Sequence, residues 1–197
     1  LTILRLLDHP NVVKIIDVGA GPLTRIGKKW NRKQIRITAT DPLADEYDGI
    51  LKKCGIVPLV RTVKFEGETL AEHFPRESFD LAYASNSLDH AYSPIDIIRQ
   101  MILLLRPGGS IYLWHFANCG ITERYKGLHQ WNFCRRGNDM EISDGKTGAL
   151  LADYLGPDVM IRCRDDSAFD SVIVVATITK NHSHITNEPL DNECRTR

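Results

Sequence analysis

Residues 12–22 read VVKIIDVGAGP, a nearly continuous apolar run, Val12–Val18, that ends in Gly19-Ala20-Gly21-Pro22. A run without polar alternation predicts a strand buried on both faces, and the glycines predict a tight turn at its carboxyl end. Outward from there, residues 35–40 (IRITAT) alternate and stop at Asp41-Pro42, a second strand. Residues 45–54 carry Tyr47, Ile50 and Leu51 at helical spacing and close on Gly55. A short third strand over 63–65 and a brief helix over 69–74 lead to a fourth strand at 79–84 (FDLAYA), which ends in polar Ser85-Asn86-Ser87-Leu88-Asp89-His90. Ser93 then caps a helix with Pro94 in its first turn; Ile97, Ile98, Met101, Ile102, Leu104 and Leu105 form its apolar side, and Arg106-Pro107-Gly108-Gly109 stops it. Residues 111–116 form strand five, 147–155 read as a helix, and 159–164 with 171–179 read as a final antiparallel pair. Strands alternating with helices predict an α/β fold: a doubly wound, mostly parallel seven-stranded sheet whose last strand is antiparallel.

Composition bounds what such a chain does. With 197 residues, 43% of them hydrophobic, one domain with a sizeable core is expected. The 25 basic and 25 acidic residues cancel, so no global attraction draws nucleic acid or an anionic membrane. The longest apolar runs, 101–105 and 172–176, fall far short of the ~20 residues of a membrane span. Cys54, Cys119, Cys134, Cys163 and Cys194 are scattered without a CxxC pair, which argues against a structural zinc site and a secreted disulfide framework and favours a reducing cytoplasm. The start at Leu1, with no basic-then-apolar signal region, reads as trimmed rather than targeted. The expected organisation is one domain over 1–180, an insertion on the substrate side over 117–146, and a polar tail over 181–197. The basic stretch Arg25, Lys28, Lys29, Arg32 and Lys33 reads as a solvated surface before it reads as a phosphate contact.

In doubly wound sheets ligands bind beyond the carboxyl ends of the strands. Asp17 stands two residues before Gly19, and Asp41 stands 20 residues after Gly21 at the end of the next strand. A carboxylate so placed accepts hydrogen bonds from both hydroxyls of a ribose, so a ribose-bearing cofactor is expected. Position 24, where a dinucleotide fingerprint wants a third glycine, is Thr24, which counts against NAD. Asp17 also suits a cofactor carrying an ammonium group better than one carrying phosphates.

Five ordered blocks, IIDVGAGP, ITATDP, FEGETL, FDLAYASNSLDHAYSP and LLRPGGSIYL, resemble the class I S-adenosylmethionine-dependent methyltransferases over residues 12–116. The resemblance implies the Rossmann-like methyltransferase fold and S-adenosyl-L-methionine as cofactor. It implies that Asp17, Gly19 and Gly21 surround the methionine part and that Asp41 binds the ribose. Glu68 would take the adenine amino group with Thr69 beside the ring, and Asn86 and Leu88 would line the sulfonium side. The family's amino-terminal lid helices have little room in the residues before Val12.

The acceptor must be read from the segments after strands four and five. Methyl transfer from a sulfonium is an in-line displacement, and a hydroxyl acceptor also has to lose its proton. Three histidines stand in the right region, with His129 ahead of His90 and His115 because residues 127–133 (GLHQWNF) offer Gln130, Asn132 and Trp131 around it. A hairpin is expected across 136–139. Asp89, His90 and His115 as metal ligands have no motif spacing behind them, and no metal is expected. The sequence therefore reads as an O-methyltransferase of a small molecule or a sugar or glycan hydroxyl, with no nucleic acid or membrane partner. The competing readings are a methyltransferase-like cofactor-binding module without catalysis and an NAD(P)-dependent dehydrogenase, the latter also lacking a Tyr-x-x-x-Lys pair.

Overall fold

A computed structural model of the chain describes residues 12–27, 29–30, 33–168 and 171–181. The expected amino-terminal shortfall before Val12, the tail beyond Asn181, and Lys28 and Arg32 of the basic stretch lie outside the described residues.

The strands are β1 (Val12–Val18), β2 (Lys29–Trp30), β3 (Lys33–Thr40), β4 (Thr62–Val63), β5 (Phe79–Ser85), β6 (Leu105–Phe116), β7 (Asn132–Arg136), β8 (Asp139–Ser143), β9 (Gly148–Leu150), β10 (Val159–Ala168) and β11 (Ser171–Lys180). The helices are α1 (Ala44–Lys53), α2 (Leu70–His73), α3 (Pro94–Leu104), α4 (Cys119–Thr122) and α5 (Leu151–Leu155). The main sheet runs β10-β11-β6-β5-β1-β3, with β2 and β4 both paired to β3. β4, β3, β1, β5 and β6 are parallel neighbours, whereas β11 and β10 turn antiparallel at one end. This is the expected seven-stranded, doubly wound sheet with one addition, the two-residue β2 folded back antiparallel on β3.

Strand β1 sits in the middle because it has apolar side chains for both faces. Successive residues of a strand point to opposite sides, so Ile16 and Val18 join one core while Val13 and Ile15 join the other. The first core is the larger. α3 packs Ile97, Ile98, Met101 and Leu104 into it, a stripe at helical spacing, and Ser93 Oγ caps the helix by accepting from Asp96 N at 3.3 Å. The second core holds Val13, Ile15, Ile35 and Leu81, with Ile26, Ile37, Tyr83 and Tyr112 at its margin.

Several boundaries differ from the sequence reading. The third strand is Thr62–Val63, and a 3-10 turn, Gly67–Thr69, replaces the start of the helix expected from residue 69. β6 begins at Leu105 beside Phe79, and its register with β5 shifts before Ser110 meets Leu81, so the Pro107-Gly108-Gly109 stop lies inside the strand. The expected helix over 147–155 is a helix only from Leu151. Asp144 Oδ1 accepts from Lys146 N, Thr147 N and Thr147 Oγ1, a turn that sends the chain back along β8 as β9. The expected hairpin is therefore the first half of a three-stranded sheet, β7-β8-β9, whose Phe133, Met140 and Ile142 join the larger core. Among the described residues no helix is long and apolar enough to cross a membrane.

Candidate active site

The glycine turn and Asp41 are built as one unit. Gly19 and Gly21 take φ of +68° and +66°, left-handed values that favour glycine. Gly19 N and Ala20 N both donate to Thr40 O, at 2.9 and 3.0 Å, and Thr62 Oγ1 donates to Gly21 O at 2.8 Å. Asp41 closes the unit: Oδ2 accepts from Gly21 N at 3.0 Å and Oδ1 from Leu43 N at 2.9 Å. Each oxygen keeps a further lone pair, so the carboxylate that shapes the turn can still accept from two hydroxyls.

Asp17 is only 2% exposed, and Thr24 Oγ1 donates to its Oδ2 at 2.5 Å. The residue that breaks the dinucleotide fingerprint thus has a task of its own, which is to hold this carboxylate. Burial pushes the Asp17 carboxyl up; the Thr24 bond opposes that, the charge of Asp41 adds to it, and the result is about 6.

A cavity of about 480 Å³ opens beside this unit, and Gly19, Asp41, Glu68, Leu88 and His90 line it. Asp17, Gly21, Thr69 and Asn86 are not part of its wall. Asn86 instead ties β5 to β6 from a left-handed φ of +50°, its N–H donating to Trp114 O at 2.7 Å. Glu68 Oε1 accepts from Ser93 N at 3.2 Å, which joins the loop after β4 to the start of α3. The sequence reading gives Glu66 and Ser87, at the ends of their strands, no role of their own, and both line the cavity. Glu66 is the first carboxylate after the third strand, a signal that was readable. Ser87 was not: a Cβ on Gly19 would lie 2.4 Å from Ser87 Cβ and 2.5 Å from its Oγ, so the neighbour that demands a glycine is the chain's own loop after β5.

At the edge of the cavity, side chains converge on Asp89, which is 1% exposed. Its Oδ2 meets His129 Nδ1 at 2.7 Å and His90 Nε2 at 3.3 Å. Burial works against its charge, but the bonds to His90 and His129 outweigh burial and bring its carboxyl below the ordinary range. The same bond raises His90 against the effect of burial. Of the three histidines only His90 lines the cavity. His129 is turned inward because Gln130 N and Trp131 N donate to Asp89 O, at 3.0 and 3.3 Å, and so dock its segment on Asp89. His115 is fully buried and stacked on Phe133 at 4.2 Å, and among the described residues neither ring nitrogen has a hydrogen-bond partner; burial lowers it to about 4.

The neighbours expected to hold an acceptor are engaged elsewhere. Gln130 Nε2 donates to Gly127 O at 2.6 Å, Trp131 Nε1 to Ala91 O at 2.9 Å, and buried Asn132 accepts from Ile121 N at 3.3 Å. These bonds fix residues 127–132 against the turn after β5 and α4, and they leave His90, Tyr92 and Leu128 as the groups facing the cavity from this side.

Comparison with known proteins agrees with this geometry. The sequence finds no match among curated proteins. Solved structures share the fold. One is the 1,6-didemethyltoxoflavin-N1-methyltransferase of Burkholderia thailandensis, solved with S-adenosylhomocysteine, at 18% identity over 91% of this chain and 75% of that one, with a TM-score of 0.55. Another is a methyltransferase of Methanosarcina mazei, at 17% identity over 92% and 98%, with a TM-score of 0.57. A third, the carbon methyltransferase CurJ, matches at 13% identity over 90% of this chain and 51% of that one, with a TM-score of 0.57. The model of the methyltransferase domain family matches residues 16–113, the span from β1 to β6 that builds the cavity. Residues 16–113 belong to the methyltransferase domain family, on the fold of the S-adenosylmethionine-dependent methyltransferases, with S-adenosyl-L-methionine as the cofactor.

Proposed function

We propose that this methyltransferase acts on a hydroxyl of a small molecule or glycan. The observation that carries the reading is the pairing, in one cavity, of Gly19 and Asp41 with a histidine, His90, bonded to a buried carboxylate. In the displacement the acceptor oxygen forms its bond to the methyl carbon as the sulfur–methyl bond breaks, and His90 receives the hydroxyl proton. Asp89 orients that ring and stabilises it once protonated. The solved structures of the same fold include an N1- and a carbon methyltransferase, so the fold does not choose the acceptor atom; the base does. Among the described residues that line the cavity Lys64 is the one lysine or arginine, beside Asp41, Glu66 and Glu68, which disfavours a phosphate-rich acceptor such as nucleic acid. A screen with labelled S-adenosylmethionine against polyols, sugars, phenols and amines tests the reading: transfer to hydroxyls supports it, and transfer only to amines or carbon acids overturns it.

In this reading Asp41 holds the ribose and Asp17 attracts the ammonium group of the cofactor. Asp41→Ala is expected to weaken S-adenosylhomocysteine binding about 10- to 150-fold, the loss of charge-assisted bonds at ~1.5–3 kcal/mol. Calorimetry reads the affinity, and thermal unfolding reads any loosening of the turn that Asp41 ties.

Asp17 predicts a pH dependence whose sign comes from its raised carboxyl. Below about 6 the group is protonated in the free protein, and pairing with an ammonium must first expel that proton. Affinity for S-adenosylhomocysteine is therefore expected to climb with pH up to about 6, by at most about tenfold per pH unit, and to level above it. Asp17→Asn should remove the climb. A titration in which wild type and variant share one slope would take Asp17 out of the ammonium site.

A further inference from the structure

The hydrogen bonds around His129 do not add up. An imidazole nitrogen has one outward valence, either an N–H or a lone pair, and so makes one good hydrogen bond. His129 Nδ1 nevertheless has three polar neighbours: Asp89 Oδ2 at 2.7 Å, His90 Nε2 at 3.3 Å and Cys119 Sγ at 3.4 Å. Among the described residues buried Asp89 Oδ1 has no hydrogen-bond partner. If Nδ1 donates to Asp89 it has nothing left to accept from the thiol, and if it accepts from the thiol it faces a carboxylate with its lone pair. Donation from Nδ1 to Asp89 leaves the Cys119 thiol unserved by this nitrogen, and a cation among the three groups would draw the O, S and N atoms to a single centre.

We propose that Asp89, Cys119 and His129 bind one zinc ion. Their ligand atoms, one each of O, S and N, all lie within 4.8 Å of one another, and they come from three separate segments of the chain. A thiolate with an imidazole is a borderline-soft pair that suits zinc over magnesium or calcium. Zinc bonds of about 2.0–2.3 Å at tetrahedral angles need N···S near 3.6 Å and N···O near 3.4 Å. The observed N···S separation of 3.4 Å is close to that, and the 2.7 Å His129–Asp89 contact has to open. Three protein ligands leave a fourth position, the pattern of zinc sites that bind an exchangeable oxygen. His90, whose Nε2 is 3.3 Å from both Asp89 Oδ2 and His129 Nδ1, stands between these ligands and the cavity it lines. The site would thus fasten the insertion, through Cys119 and His129, to the turn after β5 that carries His90. The sequence did not suggest it, because Cys119 and His129 are ten residues apart and Asp89 is 30 residues upstream of Cys119, with no motif spacing among them.

The test is equilibrium dialysis of the metal-free protein against zinc, repeated with cobalt(II). The expected result is one zinc per chain; cobalt loaded into the metal-free protein should give the intense visible bands of a tetrahedral site and a thiolate-to-cobalt charge-transfer band, and zinc should then displace it. Cys119→Ser and His129→Ala should each weaken zinc binding by at least about 100-fold, since even groups that only orient a ligand cost 10–100-fold. Cys134→Ser, a half-buried cysteine on β7, should keep wild-type stoichiometry. Wild-type zinc affinity in both ligand variants, or no stoichiometric zinc in the native protein, would overturn the proposal. Calorimetry with S-adenosylhomocysteine on the same samples keeps the two readings apart: a protein that binds this product but no zinc loses only the metal site.

Discussion

Replacing His90 by alanine is expected to slow methyl transfer by ~10²–10⁴-fold while S-adenosylhomocysteine binds as before, the usual cost of losing a positioned proton acceptor. The choice of His90 is geometric. It lines the cavity, whereas His129 faces Asp89 and His115 is sealed against Phe133. An alanine at His115 would report on packing, because that ring has no route to a substrate proton. Turnover of His90→Ala measured with a hydroxyl acceptor, alongside binding of the demethylated cofactor, separates chemistry from recognition. Wild-type turnover would mean that proximity and alignment alone carry the transfer. The test also bears on the acceptor, since an amine that reaches the site as a free base already offers its lone pair and should feel the loss far less than a hydroxyl.

What the sequence reveals of this site divides along the distance between partners in the chain. The β1 run and its glycine turn, Asp41 at the end of the next strand and the Ser93-Pro94 start of α3 are each written in a few adjacent residues, and each stands where local pattern puts it. Residues 147–155 show where that logic stops. Their apolar spacing fits a helix, but the Asp144 turn gives Gly148–Leu150 a free strand edge to pair with, and the hydrogen bonds to β8 prevail over propensity. The histidines obey the same rule. Their presence near the strand ends was visible, but their ranking depends on which backbone accepts from Gln130 and Trp131, and that backbone is Asp89, about 40 residues away. Nothing local marks Cys119 as a neighbour of His129 or Ser87 as a neighbour of Gly19.

That last pair gives the second large effect. A side chain at Gly19 needs a left-handed φ, at about 1–2 kcal/mol for an L residue, and its Cβ would fall 2.4 Å from Ser87 Cβ, an overlap worth another ~1–3 kcal/mol. Gly19→Ala should therefore cost about 2–5 kcal/mol, and Gly19→Val more because its branched Cβ fits a left-handed backbone worst. Both should lose cofactor binding as the turn is displaced. The overlap is with Ser87, so its removal should be curative: Gly19→Ala combined with Ser87→Gly is expected to regain all but the left-handed cost and the bond from Ser87 Oγ to Val18 O, about 2–3 kcal/mol in total. The added methyl then points into the space that Ser87 vacates, and S-adenosylhomocysteine affinity should return with the stability. Urea unfolding of the two single variants and the double variant, with calorimetry on each, measures both quantities. A double variant that folds but does not bind would show that the cofactor itself occupies the space beside Gly19, and that the glycine answers to the ligand more than to the loop after β5.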